Sequence, residues 1–191
     1  MKLLASHRWL EEERWIPIAL LQSPRFAGKL KVDFRTNAIF PHADKDGPCG
    51  YEIKNKGFTG FARGGEKGLW FSAAKSSDTA LVLAESGIDA LSYAALHPND
   101  KARYASTGGA MNPNQPALIR GAIEKMGQGA TIRIATDNDA GGRELAEQIA
   151  AIAAETGRED LSIVRDLPAG EGSDWNDRLR ESQPQAPAPG R

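Results

Sequence analysis

The chain has 191 residues, 40% hydrophobic and 26% charged, with a formal net charge of -1. That length and balance suit one soluble domain or two small ones with a packed core. No apolar run approaches the roughly 20 residues needed to cross a bilayer, and MKLLASHRWLEEERW turns acidic too early for a secretory signal. A cytoplasmic protein with no membrane partner is expected, and the single cysteine, Cys49, excludes a disulfide framework or a cysteine-rich zinc site.

Residues 3 to about 21 carry helical apolar spacing, which predicts one or two short helices interrupted at Pro17. From about 26 to 71 glycine and aromatic residues dominate. There AIFPHADKDGPCGYEIKN predicts two strands joined by a turn at Asp44-Lys45-Asp46-Gly47, and GFTGFARGGEKGLWFS predicts further short strands with tight glycine turns. The rhythm then changes. ALVLA at 80–84 reads as a buried strand and GIDALSYAALH as a helix. Residues 103–106 read as a strand ending in Thr107-Gly108-Gly109, 113–126 as a helix, and TIRIA at 131–135 as a third strand. Residues 142–156 form an alanine-rich helix, and 161–164 a fourth strand before Leu167-Pro168.

Strands alternating with helices imply an α/β unit, a mostly parallel sheet with helices on both faces. The expected organisation is a small β-rich α+β module over residues 1–76, the α/β unit over 77–181, and a proline- and alanine-rich disordered tail over 182–191. Charge divides at the same boundary: residues 1–76 hold 13 Lys+Arg against 8 Asp+Glu, and the remainder 11 against 17. A basic front and an acidic back suit a protein that grips a phosphate backbone and holds a divalent metal separately.

Ligands of parallel α/β sheets bind beyond the carboxyl ends of the strands. Carboxylates stand at three of those ends: Glu85 after ALVLA, Asp137 and Asp139 after TIRIAT, and Asp174 and Asp177 in GEGSDWNDRL. Clustered carboxylates repel one another unless a cation lies between them, and hard oxygen donors suit magnesium, which also takes substrate phosphate. Gly141 and Gly142 would keep the site open to a bulky polyanion. Taken singly, these acids also read as helix caps or solvated turn residues; Asp174 is a plausible N-cap for residues 175–180.

The constellation resembles the Toprim family of primases, topoisomerases, nucleases and recombination-repair proteins. Glu85 in LVLAESGIDALS matches its glutamate motif, and Asp137 and Asp139 in IATDNDAGGRELA match its Asp-x-Asp motif. The form DxDxAGxxxA is similar to the primase branch, as are Asp166-Leu167-Pro168 and Ser173-Asp174-Trp175-Asn176-Asp177, although Ser173 replaces that branch's lysine. Thr107-Gly108-Gly109 resembles the family's glycine loop, and the front half resembles the primase core preceding a Toprim domain, an arrangement similar to DUF3991-plus-Toprim proteins of plasmids and other mobile elements.

The resemblance implies a Rossmann-like Toprim fold and a Mg2+ or Mn2+ cofactor, with no zinc. Glu85, Asp137 and Asp139 would be catalytic, with Asp174 and Asp177 as further metal ligands. Lys54, Asn55, Arg63, Lys67, Thr107, Gly108 and Gly109 would meet nucleic acid or nucleotide, and Phe58, Phe61 and Trp70 would be either core or base-stacking residues. Three scattered histidines and three tyrosines suggest no chemistry. Expected partners are single-stranded DNA, nucleoside triphosphates, and helicase, relaxase or zinc-module proteins. Primase-like nucleotidyl transfer leads among the implied activities. A metal-dependent nuclease or nickase and a non-catalytic DNA-binding accessory protein remain alternatives. A topoisomerase would need a tyrosine domain, and a helicase fusion a Gly-x4-Gly-Lys-Ser/Thr loop that the sequence lacks.

Overall fold

The computed structural model describes residues 1–183; the expected tail lies, from residue 184 onward, outside the described residues. Five strands of the front half form one antiparallel sheet in sequence order: β1 (Lys2–Leu3), β2 (Lys31–Val32), β3 (Ala38–Asp44), β4 (Gly47–Asn55) and β5 (Phe58–Phe61). Two short helices, α1 (Arg8–Glu12) and α2 (Ile18–Leu21), lie between β1 and β2. Leu3, expected at a helix start, instead pairs with Lys31 in β1. Pro17 caps α2, where its missing N–H leaves no bond unmade. The β3–β4 turn is closed by Asp44, whose Oδ1 accepts from the N–H of Asp46 (2.8 Å) and Gly47 (3.1 Å).

The second sheet contains β6 (Trp70–Phe71), β7 (Ala80–Ala84), β8 (Ala102–Ser106), β9 (Thr131–Ala135) and β10 (Ser162–Arg165), in the order β10-β9-β7-β8-β6. The first four are parallel and β6 runs antiparallel to β8. Side-chain alternation divides the strands between two layers. Leu81, Leu83, Ile132 and Ile134 pack with α4 (Gln115–Glu124) and α5 (Ala140–Glu155). Ala80, Val82 and Ala84 pack with α3 (Gly87–Leu96) and α6 (Trp175–Glu181). Each fully buried leucine or isoleucine contributes about 1.5–3 kcal/mol. Helix α5 begins two residues before its expected start because the Asp139 side chain caps it, accepting from Gly142 N–H at 2.7 Å.

Trp9, Leu10, Phe26, Ala38, Phe40 and Trp70 join the α3 layer, so the two sheets share one core. Trp70 is 1% exposed and stacks on Phe26, which makes it a core residue unavailable to a base. Three features join the sheets. Ala43 and Leu69 exchange two backbone hydrogen bonds of 2.9 Å. The first turn of α3 lies so close to β3 that a Cβ on Gly87 would stand 2.1 Å from the Phe40 ring. Asp78, buried between β6 and β7, accepts two bonds from the Arg25 guanidinium (2.7 and 3.0 Å) and one from Arg103 (3.1 Å).

Candidate metal and phosphate site

Because β7, β8 and β9 are parallel, their carboxyl ends deliver three loops to one edge of the sheet. Glu85 follows β7, and its carbonyl accepts from the N–H groups of Gly108 (2.8 Å) and Gly109 (3.0 Å) in the loop after β8. Both glycines have positive φ, +71° and +88°, which the turn requires. Thr107 Oγ–H donates to the Gly109 carbonyl at 2.7 Å and holds that turn. Asp137 follows β9. Residue 142 must be glycine here, since a Cβ would lie 2.1 Å from the Asp137 carbonyl oxygen.

The fourth acid arrives from far along the chain. Asn138 donates through Nδ2 to the carbonyls of Pro168 (3.1 Å) and Gly170 (3.0 Å), and its backbone pairs with Ser173 (3.0 Å) and Gly172 (2.8 Å). This stitching sets Asp174 beside the β9 loop, where it caps α6 by accepting from Asp177 N–H at 2.6 Å.

The loops enclose a cleft of about 340 Å³ lined by Glu85, Asp89, Asp137 and Asp174 on one side. Arg14, Lys54 and Thr59 of the front module face them. Burial, then the charges of Asp89, Glu85, Asp174 and Asp139, pushes the Asp137 carboxyl far above the usual carboxylate range. Burial and the Asp139 charge raise Glu85 as well, with Lys54 and Lys67 pulling the other way. Asp89 is raised mainly by burial, against a 2.5 Å hydrogen bond from Ser86 Oγ–H.

Glu85 Oε2 and Asp137 Oδ1 are buried and, among the described residues, have no hydrogen-bond partner. Buried carboxylate oxygens without partners are strongly disfavoured, and a divalent cation is the group whose chemistry fits such oxygens. Among the described residues no three acidic, histidine or cysteine side chains converge closely enough to hold a metal ion by themselves. Magnesium does not need three: it typically takes one or two carboxylates and keeps waters or substrate phosphate.

The sequence-predicted residues divide. Glu85, Asp137, Asp174, Lys54, Gly108 and Gly109 line the cleft. Asp139 stands at its rim as the α5 cap, and its charge reaches both Glu85 and Asp137. Lys67 donates to the Ala110 carbonyl at 3.3 Å, and its charge acts on Glu85. Asp177 is half-exposed outside the lining, 3.7 Å from Arg180. Asn55 is drawn to the tip of the sheet, where it donates to Asn37 Oδ1 (3.0 Å) and lines a separate cavity of about 530 Å³. Arg63 is exposed and, among the described residues, makes no ion pair.

Three features escaped the sequence. Asp89 lies in the first turn of α3, and the signal for it was the capping pattern Ser86-Gly-Ile-Asp89. Arg14 reaches the cleft with its guanidinium 4.9 Å above the Trp9 ring. His42 and Glu52 are 0% and 2% exposed. The His42 ring nitrogens lie 2.8 Å from the Gly68 carbonyl and 3.2 Å from Glu52, whose other oxygen is 3.4 Å from Lys54 Nζ. No sequence pattern marked Arg14 or this pair.

Residues 82–179 match the family described as Toprim-like. Residues 8–78 match one described as a protein of unknown function, DUF3991. No curated protein matches the chain. Among solved structures it is similar to a DNA primase domain from Pseudomonas aeruginosa, with 16% identity over 81% of this chain and 53% of that one and a TM-score of 0.53. Fainter likenesses are to the primase fragment of the bacteriophage T7 primase-helicase protein (15% identity, 76% and 58% covered, TM-score 0.45) and the RNA polymerase domain of Mycobacterium tuberculosis primase DnaG (14%, 80% and 58%, 0.43). The chain spans just over half the length of the solved chains it matches. At 16% identity the first of these establishes a shared fold.

Proposed function

Because the chain belongs to the Toprim-like family, we propose that it is a metal-dependent, primase-like nucleotidyltransferase acting on single-stranded DNA in plasmid or mobile-element replication or transfer. The observation that carries this reading is the pair of buried, unpartnered carboxylate oxygens of Glu85 and Asp137 in a cleft whose opposite wall is cationic. Acids alone would repel a polyanion, and cations alone would have no use for buried carboxylates. Together they suit a phosphate chain whose charge is shared between metal and protein.

Asp137 and Asp139 would hold a Mg2+ or Mn2+ ion, with Asp174 and Asp89 beside them and Asp177 as an outer support. Such an ion, when bound, neutralises phosphate charge and polarises phosphoryl oxygen. Glu85, whose carboxyl is raised above its ordinary value by burial and the Asp139 charge, would orient the attacking 3′-hydroxyl and take its proton. Arg14, Lys54 and Lys67 would bind the triphosphate, and the glycine turn at 108–109 leaves room for it. The N–H groups of that turn already donate to Glu85, so the loop shapes the cleft and does not cradle phosphate. Template would run over the front module past Asn55 and Arg63, with helicase, relaxase or zinc-module proteins as cytoplasmic partners.

The test is to incubate the protein with single-stranded circular DNA, labelled ribonucleotides and Mg2+ or Mn2+, beside an Asp137→Ala/Asp139→Ala control. Short labelled products made only by the wild type are expected. Nicked or degraded DNA without labelled products would replace this reading with a nuclease that uses water as nucleophile. DNA binding without either activity would make the protein an accessory.

A further inference from the structure

The cleft's arginine is held by an amide that lines the same cleft, two residues beyond Asp174. Asn176, in the first turn of α6, is 0% exposed. Its Nδ2 donates to the Arg14 carbonyl (2.7 Å) and to Ser92 Oγ (3.0 Å), and its Oδ1 accepts from Arg14 Nη1 (3.2 Å). Ser92 Oγ–H is committed to the Ile88 carbonyl at 2.8 Å, so toward Asn176 that hydroxyl can only accept. Both amide hydrogens therefore have acceptors, and the carbonyl oxygen must face the guanidinium. A carboxylate of the same shape would turn a lone pair on each of those acceptors. The site demands an amide.

The consequence falls on Arg14, which stands just after α1 in the chain segment before Pro17. One side of its guanidinium faces the Trp9 ring at 4.9 Å and one nitrogen is taken by Asn176. Asn176 grips both the backbone and the head of the same arginine, which removes freedom the long side chain would otherwise lose on binding a ligand. Arg14 lines the cleft together with Glu85, Asp137 and Asp174. Asp174 caps the short helix that carries Asn176, so the segment that supplies an acid to one wall also sets the cation of the other.

We propose that Asn176 is a positioning residue that presents Arg14 to the phosphate chain of a nucleoside triphosphate. This rests on reading the cleft as a phosphate site. It adds that the α6 amide acts through Arg14 and not merely as a staple between α6, α3 and the front module.

The measurement is calorimetric titration with inorganic tripolyphosphate in excess Mg2+, on the full chain, for wild type, Arg14→Met, Asn176→Ala and the double variant, with a melting temperature for each. Each single variant is expected to weaken binding about tenfold, and the double no more than the worse single, because both remove the same contact. Losses that multiply in the double variant, or an Asn176→Ala variant that melts lower yet binds as wild type does, would overturn the positioning role and leave the phosphate site standing. A wild type that binds no tripolyphosphate would overturn both. If Asn176→Ala does not fold, Arg14→Lys decides: it keeps the charge but loses the two-point grip, and undiminished affinity there refutes the proposal.

Discussion

The two sheets share a core yet admit charge in opposite ways. In the parallel sheet every residue of β7 is buried and apolar, and the acids of the cleft stand beyond the strand ends. In the antiparallel sheet His42, Glu52 and Lys54 sit within strands, on the same inward face as Phe40 and Ala38. An inward strand face normally takes apolar side chains. Here its upper part leaves the core and looks across at the β7 and β8 loops; a Cβ on Gly108 would lie 2.9 Å from the His42 ring. One wall of the cleft is made of strand ends and the other of a strand face, and polar residues on an inward face mark where packing gives way to a site.

The sharpest way to break that contrast is at Asp137. Asp137→Ala is expected to lower labelled-product formation on the order of a thousandfold without unfolding the protein. Asp137→Asn, which removes a buried carboxyl whose ionised form the site disfavours, should raise the melting temperature of the metal-free protein by several degrees, about 1–2 kcal/mol. It should also abolish any Mg2+-dependent rise in melting temperature. A metal-free Asp137→Asn that melts below the wild type would show that the carboxylate is paired in solution.

The joint between the sheets is tested at Asp78. Burial alone would raise its carboxyl, but the bonds and charges of Arg25, Lys75 N–H and Arg103 outweigh this and lower it. Asp78→Ala strands two cations and should cost about 3–5 kcal/mol in urea unfolding. Since the folded pKa is the lower one, the wild type holds this stabilisation above the usual carboxylate range and loses it as pH falls through the lowered value. The variant's acid limb should therefore be flatter; a parallel limb would contradict the pairing.

Smaller substitutions separate the walls. Gly142→Ala drives a Cβ toward the Asp137 carbonyl, for an expected loss of about 1–3 kcal/mol and reduced product formation. Glu52→Ala leaves His42 and Lys54 without their shared partner, for about 1–3 kcal/mol. Smallest is Phe58→Ala: the ring is 52% exposed beside Gly60, so stability should change by less than about 0.5 kcal/mol. Affinity for single-stranded DNA should fall about tenfold if the ring stacks on a base, and unchanged affinity would remove the ring from the template path.

By itself the sequence determined the alternating strands and helices, the β3–β4 hairpin and the acids at the ends of β7 and β9. Each is written locally, in apolar period, turn residues and the residue after a strand. It also determined Asp174 as a helix cap, through a spacing of three residues to Asp177. What it could not contain was which distant residues meet. Arg14 and Asn176 are 162 residues apart, and both are of ordinary type for an exposed helix end. Asn55 and Lys54 are neighbours in sequence, yet strand alternation turns one into the cleft and the other toward the sheet tip. Only the docking of the front module onto the parallel sheet decided that the acids would face cations, because those contacts are long-range and carry no local pattern.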